Sequence, residues 1–130
     1  MNIAFACVHN SCRSQMAEFL AKKFNKNKNN NFYSFGSDTS KGINKKAVEY
    51  IKELYNEDIS NYKSKLISDI PKPDILISMG CNVVCPYGYK AYDFDWKIQD
   101  PSDFEKQDFI AVIKEIENKV LNLLKYLENK

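Results

Sequence analysis

The segment Cys7-Val8-His9-Asn10-Ser11-Cys12-Arg13 sets five residues between a thiol and an arginine, directly after the apolar run Ile3 to Ala6. The backbone N–H groups of Val8, His9, Asn10, Ser11, Cys12, Arg13 and Ser14, curling from a strand into a helix, would cradle a tetrahedral oxyanion at the positive end of the helix macrodipole. Arg13 would add a planar, bidentate, permanently charged clamp. The same field favours the nucleophilic thiolate of Cys7, with the Ser14 hydroxyl as a donor to its sulfur. Cys12 has two readings: a small apolar packing residue, which we favour, or a second thiol that protects Cys7 by reversible pairing.

Two further groups carry chemistry. Cys81 and Cys85, followed by Pro86, have three residues between them and lie beyond an apolar run that ends at Met79-Gly80. Such a loop can close a Cys81 to Cys85 disulfide if its α-carbons come within about 7 Å. In a parallel sheet Cys81 would emerge on the same edge as Cys7. The alternatives are two buried thiols that only pack, or a metal site. Zinc would need two more ligands, and His9 is the only histidine, so no metal is expected. Asp100-Pro101 is the other group. A carboxylic acid over the anion loop could protonate a leaving oxygen. Asp100-Pro101-Ser102-Asp103 reads equally well as a turn with an N-cap for the last helix.

The 130 residues fit one domain, 44% hydrophobic and 28% charged, as in ordinary globular chains. A formal net charge of +2 with scattered lysines argues against nucleic acid or an acidic membrane surface as a partner. No run approaches the roughly 18 apolar residues of a membrane span, and Met1 to Ala6 is too short for an export signal. A cytoplasmic protein is expected, in which catalysis or metal binding explains the presence of four cysteines better than a disulfide framework does.

Alternating patterns supply the elements that position these groups. Asn2 to Ala6 reads as a buried strand and Ser14 to Phe24 as a helix with Met16, Ala17, Leu20 and Phe24 inward. Asn25 to Asn31 is a polar loop, Phe32 to Phe35 a second strand, and Gly36 to Gly42 a loop. Asn44 to Tyr55 reads as a helix capped by Asn44, with Ala47, Val48, Ile51 and Leu54 inward. A short helix is expected over Tyr62 to Ile70, before Pro71-Lys72-Pro73. Asp74 to Met79 is a third buried strand, with a fourth near Lys90 to Phe94. Phe104 to Leu127 closes the chain as a long amphipathic helix. The alternation predicts an α/β domain, a four-stranded parallel sheet flanked by helices on both faces. Ligands of such sheets bind beyond the carboxyl ends of the strands, where the Cys7 loop emerges.

Over nearly its whole length the chain resembles the thioredoxin-coupled arsenate reductases built on the low-molecular-weight tyrosine phosphatase scaffold. Cys7 to Arg13 with Ser14-Gln15-Met16-Ala17-Glu18 is similar to that family's nucleophile loop and first helix. Tyr33-Ser34-Phe35-Gly36 resembles its second strand, Asp58-Ile59-Ser60-Asn61 its mid-chain turn, and Asp100-Pro101 its acid loop. The Cys81, Cys85 pair separates reductases from plain phosphatases, although it is more tightly spaced than in some members. His9 stands where a small residue is common.

The resemblance implies that Cys7 attacks arsenate, a phosphate-like oxyanion, and that Asp100 helps a hydroxyl leave as water. Cys81 then displaces arsenite from Cys7, and Cys85 moves the disulfide outward to thioredoxin or a similar dithiol. No cofactor is implied, and a monomer is expected. The runner-up is a phosphatase acting through a phospho-cysteine at Cys7. A non-catalytic oxyanion-binding or thiol-sensing module is a third reading. Relatives of this kind can hold a monovalent cation with the residues matching Glu18, Asn10 and two positions beyond the Ser60-Asn61 turn. Here those two positions are Lys63 and Lys65, so an ammonium beside Glu18 is expected to take the cation's place.

Overall fold

The computed structural model describes residues 1–80 and 91–129. Cys81, Cys85 and Pro86, and the Lys90 start of the expected fourth strand, lie outside the described residues. The elements run β1 (Asn2–Ala6), α1 (Arg13–Phe24), β2 (Asn31–Phe35), α2 (Lys45–Tyr55), β3 (Ile75–Ser78), β4 (Phe94–Asp95) and α3 (Lys106–Glu128), with a single 3-10 turn at Ile67–Asp69. The strands pair in parallel in the order β2-β1-β3-β4, so β1 is central and carries Cys7 to the middle of one sheet edge.

Side-chain alternation along β1 divides the core. Ile3 and Phe5, with Ile75 and Ile77 of β3, face one large cluster that receives all three helices. Ala4, Ala6, Leu76 and Phe35 face the other side. Among the described residues that second face is covered by Ile67, Ile70 and Tyr92 rather than by a long helix.

This turn is what remains of the helix expected over Tyr62 to Ile70. The peptide groups a helix would need are used elsewhere. The Lys65 N–H donates to Asn10 Oδ1 at 2.7 Å, and the Lys65 carbonyl accepts from the Gly36 N–H at 2.8 Å. Each peptide has one N–H donor, so a bond to the Cys7 loop excludes the intrahelical one.

The helices otherwise follow their patterns. Asn44 caps α2 by accepting the Ala47 N–H at 3.0 Å, and Asn56 ends it in the left-handed region (φ 58°) with its N–H on the Lys52 carbonyl. In α3 the buried side chains Phe109, Val112, Ile113, Ile116, Val120, Leu123 and Leu127 recur every three or four residues. This helix begins after Glu105, not at Phe104, whose N–H is taken by the Pro101 carbonyl at 2.9 Å. The Asp100 to Asp103 segment is thus a turn ahead of the helix and not its N-cap. The expected amphipathic α1 is instead buried on nearly every side, from Arg13 to Ala21. One side packs on the sheet and α3, while Ser14, Gln15 and Glu18 point into the loops that shape the site.

Candidate active site

β1 delivers Cys7 to the carboxyl edge of the sheet, where its N–H still donates to Phe35 O at 3.2 Å. The chain then turns through residues 8–12 into α1. The turn requires a left-handed residue, and Asn10 supplies it with φ 47°, a conformation asparagine tolerates better than most. Gly36 permits the turn to lie against β2. A Cβ there would fall 2.7 Å from Asn10 N, Cys7 O and Val8 O, closer than real contacts allow. Ser37 and Asp38 complete this wall by donating their N–H groups to Val8 O at 2.9 and 3.1 Å.

Asn10 is the hub beneath the loop. Its carbonyl accepts from Ser64 Oγ at 2.9 Å and from Gln15 Nε2 at 3.0 Å, and its Oδ1 accepts the Lys65 N–H. Gln15 Nε2 also reaches Lys63 O at 2.9 Å, tying the loop to the strap that follows α2. With its oxygen so engaged, the Asn10 amide presents Nδ2 to Ser14 Oγ at 2.8 Å. The Ser14 oxygen therefore accepts from Asn10, which leaves its own hydrogen for Cys7 Sγ, 2.8 Å away. Cys7 Sγ thus rests on an oriented hydroxyl donor.

Cys7, His9, Ser11, Cys12 and Arg13 line one cavity of about 90 Å³ together with Lys41, Asn44, Asp100 and Ser102. The volume suits a small inorganic oxyanion. Arg13 Nη1 donates to Ile98 O at 2.8 Å, holding the start of the Asp100 segment. The guanidinium carries five donors, so most of its fork remains for an anion. Asp100 is brought to the same cavity, as expected of an acid, and its Oδ1 accepts from Ser102 N at 3.0 Å and Ser102 Oγ at 2.6 Å. Burial pushes this carboxyl up, but the two Ser102 donors, then Arg13 and Lys41, outweigh it and hold Asp100 below the usual carboxylate range.

Cys12 is buried at 4% exposure within the large core cluster. Burial pushes its thiol far up, reinforced by Asp100 and Cys7 and only partly opposed by Arg13. This burial and the raised thiol fit the packing reading of Cys12. His9 stands on the rim with Nδ1 3.1 Å from Asp38 Oδ2.

Behind the loop, Glu18 is 5% exposed and meets two ammonium groups, Lys22 Nζ at 2.6 Å and Lys65 Nζ at 3.3 Å. Lys65 Nζ also contacts Lys63 O at 3.2 Å and Ser34 Oγ at 3.4 Å. Of the two lysines expected near Glu18, Lys65 supplies the cation and Lys63 a carbonyl.

Lys41, Asn44 and Ser102 were not among the site residues expected from sequence. The sequence marks Asn44 only as a helix cap, and nothing local marks Lys41 or Ser102 as facing Cys7. At the far side, Met79 N–H donates to Ala6 O at 2.8 Å and Ile98 N–H to Met79 O at 2.7 Å, so the chain reaches Gly80 beside both Cys7 and the Asp100 segment. Gly80 takes φ 107°, and a Cβ there would lie 2.8 Å from Lys97 Cα.

The model of the low molecular weight phosphotyrosine protein phosphatase family matches residues 2–84. An arsenate reductase of Staphylococcus xylosus is 34% identical over 128 residues, covering 92% of this chain and 93% of that one. A solved arsenate reductase in its phosphate-binding state superposes with a TM-score of 0.83 at 30% identity, over 96% of this chain and 97% of that one. The thioredoxin-dependent arsenate reductase of Corynebacterium glutamicum gives 0.74 at 27% identity, covering 98% of this chain and 61% of the other. A nucleophile loop closed on an anion-sized cavity and these likenesses lead to one assignment: the chain belongs to the low-molecular-weight phosphotyrosine protein phosphatase family and, within it, groups with the arsenate reductases.

Proposed function

We propose that this protein reduces arsenate to arsenite through a relay of Cys7, Cys81 and Cys85, with a thioredoxin-type dithiol as the final electron donor. The carrying observation is that Cys7, on its Ser14 donor, shares one small cavity with Arg13 and Asp100. Arsenate held by the loop N–H groups and the Arg13 fork presents arsenic to the sulfur. Attack forms an S–As bond while an As–O bond breaks, and the oxygen leaves as water with a proton delivered through Asp100. In the resting site Asp100 is ionised, so its proton comes with the substrate or from the Cys7 thiol. The entering anion, by offsetting Arg13, raises Asp100 toward the protonated form.

Cys81 thiolate then attacks Cys7 sulfur. A Cys7 to Cys81 disulfide forms, the S–As electron pair stays on arsenic, and arsenite departs two electrons richer. Cys85 attacks Cys81, frees Cys7, and leaves a Cys81 to Cys85 disulfide for the external dithiol. Gly80, immediately before Cys81, stands at the sheet edge that carries Cys7, which supports this order of events. A phosphatase would share the first step and finish it with water, but hydrolysis leaves Cys81 and Cys85 without a task.

The reading places the enzyme in the cytoplasm, where dithiols are kept reduced, and as a monomer. Among the described residues no helix is long and apolar enough to cross a membrane. The test is arsenate-dependent NADPH consumption in the presence of thioredoxin and its reductase. Sustained consumption that requires all three is expected, and phosphate-ester hydrolysis without arsenate reduction would favour the phosphatase instead.

A further inference from the structure

The two lysines in the first turn of α2 stand where a cation opposes the helix macrodipole. Lys45 is exposed. Lys46 is half-buried, and its ammonium donates to Phe104 O at 3.0 Å and Ser102 O at 3.3 Å. Ser102 is also the residue that the Asp100 carboxylate grips through its N–H and hydroxyl. The turn bearing Asp100 is therefore pinned at both ends, by Arg13 on Ile98 O and by Lys46 on Ser102 O and Phe104 O. The same turn of α2 holds the anion loop, since the Asn44 N–H donates to Ser11 O at 2.8 Å.

We infer that Lys46 is a positioning residue for catalysis, clamping the Asp100 turn over the anion loop at a distance that α2 sets. The inference rests on the reading of Asp100 as the acid. Lys46 does not itself line the cavity and meets that wall only through the Ser102 carbonyl, so it acts on the placement of the Asp100 turn, and hence on proton transfer, rather than on anion binding. General acids contribute about 10²- to 10⁴-fold, and an acid whose turn is released loses part of that.

The experiment measures single-turnover arsenite formation by fully reduced enzyme without thioredoxin, beside the dissociation constant for inorganic phosphate and the melting temperature. Lys46→Met should slow arsenite formation by roughly tenfold or more, leave phosphate affinity within about twofold, and not lower the melting temperature, because a cation has left a helix N-terminus. Lys46→Arg should recover much of the rate. Lys45→Met should match wild type. In an Asp100→Asn background Lys46→Met should add nothing, the mark of two residues acting through one step.

Normal turnover by Lys46→Met while Asp100→Asn is slow would overturn the clamp alone. Rate losses that simply multiply in the double variant, or a loss of rate that tracks a loss of melting temperature, would also overturn it. Unimpaired turnover by Asp100→Asn would remove the acid reading and the clamp with it.

Discussion

Cys7 and Arg13 have separable duties at the level of single residues. Cys7→Ser removes the nucleophile, and purified variant should form no arsenite. Arg13→Ala removes both the anion clamp and the donor to Ile98 O, so phosphate affinity and arsenate reduction should both collapse in titration and turnover assays. Ser14→Ala leaves the anion cradle but strips the sulfur of its donor, and the first step should slow by about 10- to 100-fold with phosphate binding little changed. Lys41 bears on the proton. It is one of the charges that hold Asp100 below the usual carboxylate range, so Lys41→Met should raise that carboxyl. An acid must be protonated to act, and the pH limb of kcat/KM governed by Asp100 should move to higher pH in this variant. An unshifted profile would show that Asp100 does not govern that limb.

Elements decide whether those residues meet. Gly36 of the segment after β2 lies against the backbone of the nucleophile loop, and Gly36→Ala should cost about 1–3 kcal/mol in unfolding free energy while weakening phosphate binding. The strap after α2 acts from beneath, where Lys65 places an ammonium among Glu18, Ser34 and Lys63 O. A tethered cation needs no recruitment from solution, so the melting temperature and the KM for arsenate should respond equally to potassium and sodium at constant ionic strength. A specific stabilisation by potassium would show that a separate cation site operates. This strap is also where sequence periodicity misled. Tyr62 to Ile70 has the composition of a short helix, but its peptide groups are committed to Asn10 and Gly36, which are remote in sequence. The burial of α1 on its polar side was hidden for the same reason. Gln15 and Glu18 look like a solvent face until the partners that satisfy them are brought in by tertiary structure. By contrast, Asn44 as a cap and the three- and four-residue recurrence of α3 are local signals, and both were legible.

At the scale of the whole molecule, the proposed chemistry gathers on one sheet edge. The central place of β1 in the parallel order β2-β1-β3-β4 brings the ends of β1 and β3 together, which accounts for the nearness of the Cys7 loop and Gly80. The shared edge follows from parallel βαβ alternation and was readable in the sequence; the pairing of β1 with β3 was not, because alternation leaves the strand order open. The nucleophile loop was readable too, because its chemistry is packed into one contiguous segment from Cys7 to Arg13. The cavity wall from Lys41, Asn44 and Ser102 was not, since those side chains converge only when α2 and the chain before α3 close over the loop. The proposed relay from Cys7 through Cys81 to Cys85 would link the site to a dithiol outside it, and a single variant isolates its middle. Reduced Cys85→Ser enzyme should be given excess arsenate, and the products should be followed by arsenite yield and by peptide mass mapping under non-reducing conditions. The account predicts about one arsenite per enzyme and a trapped Cys7 to Cys81 disulfide. Multiple turnovers with thioredoxin at the wild-type rate, or a stalled enzyme without that disulfide, would contradict it.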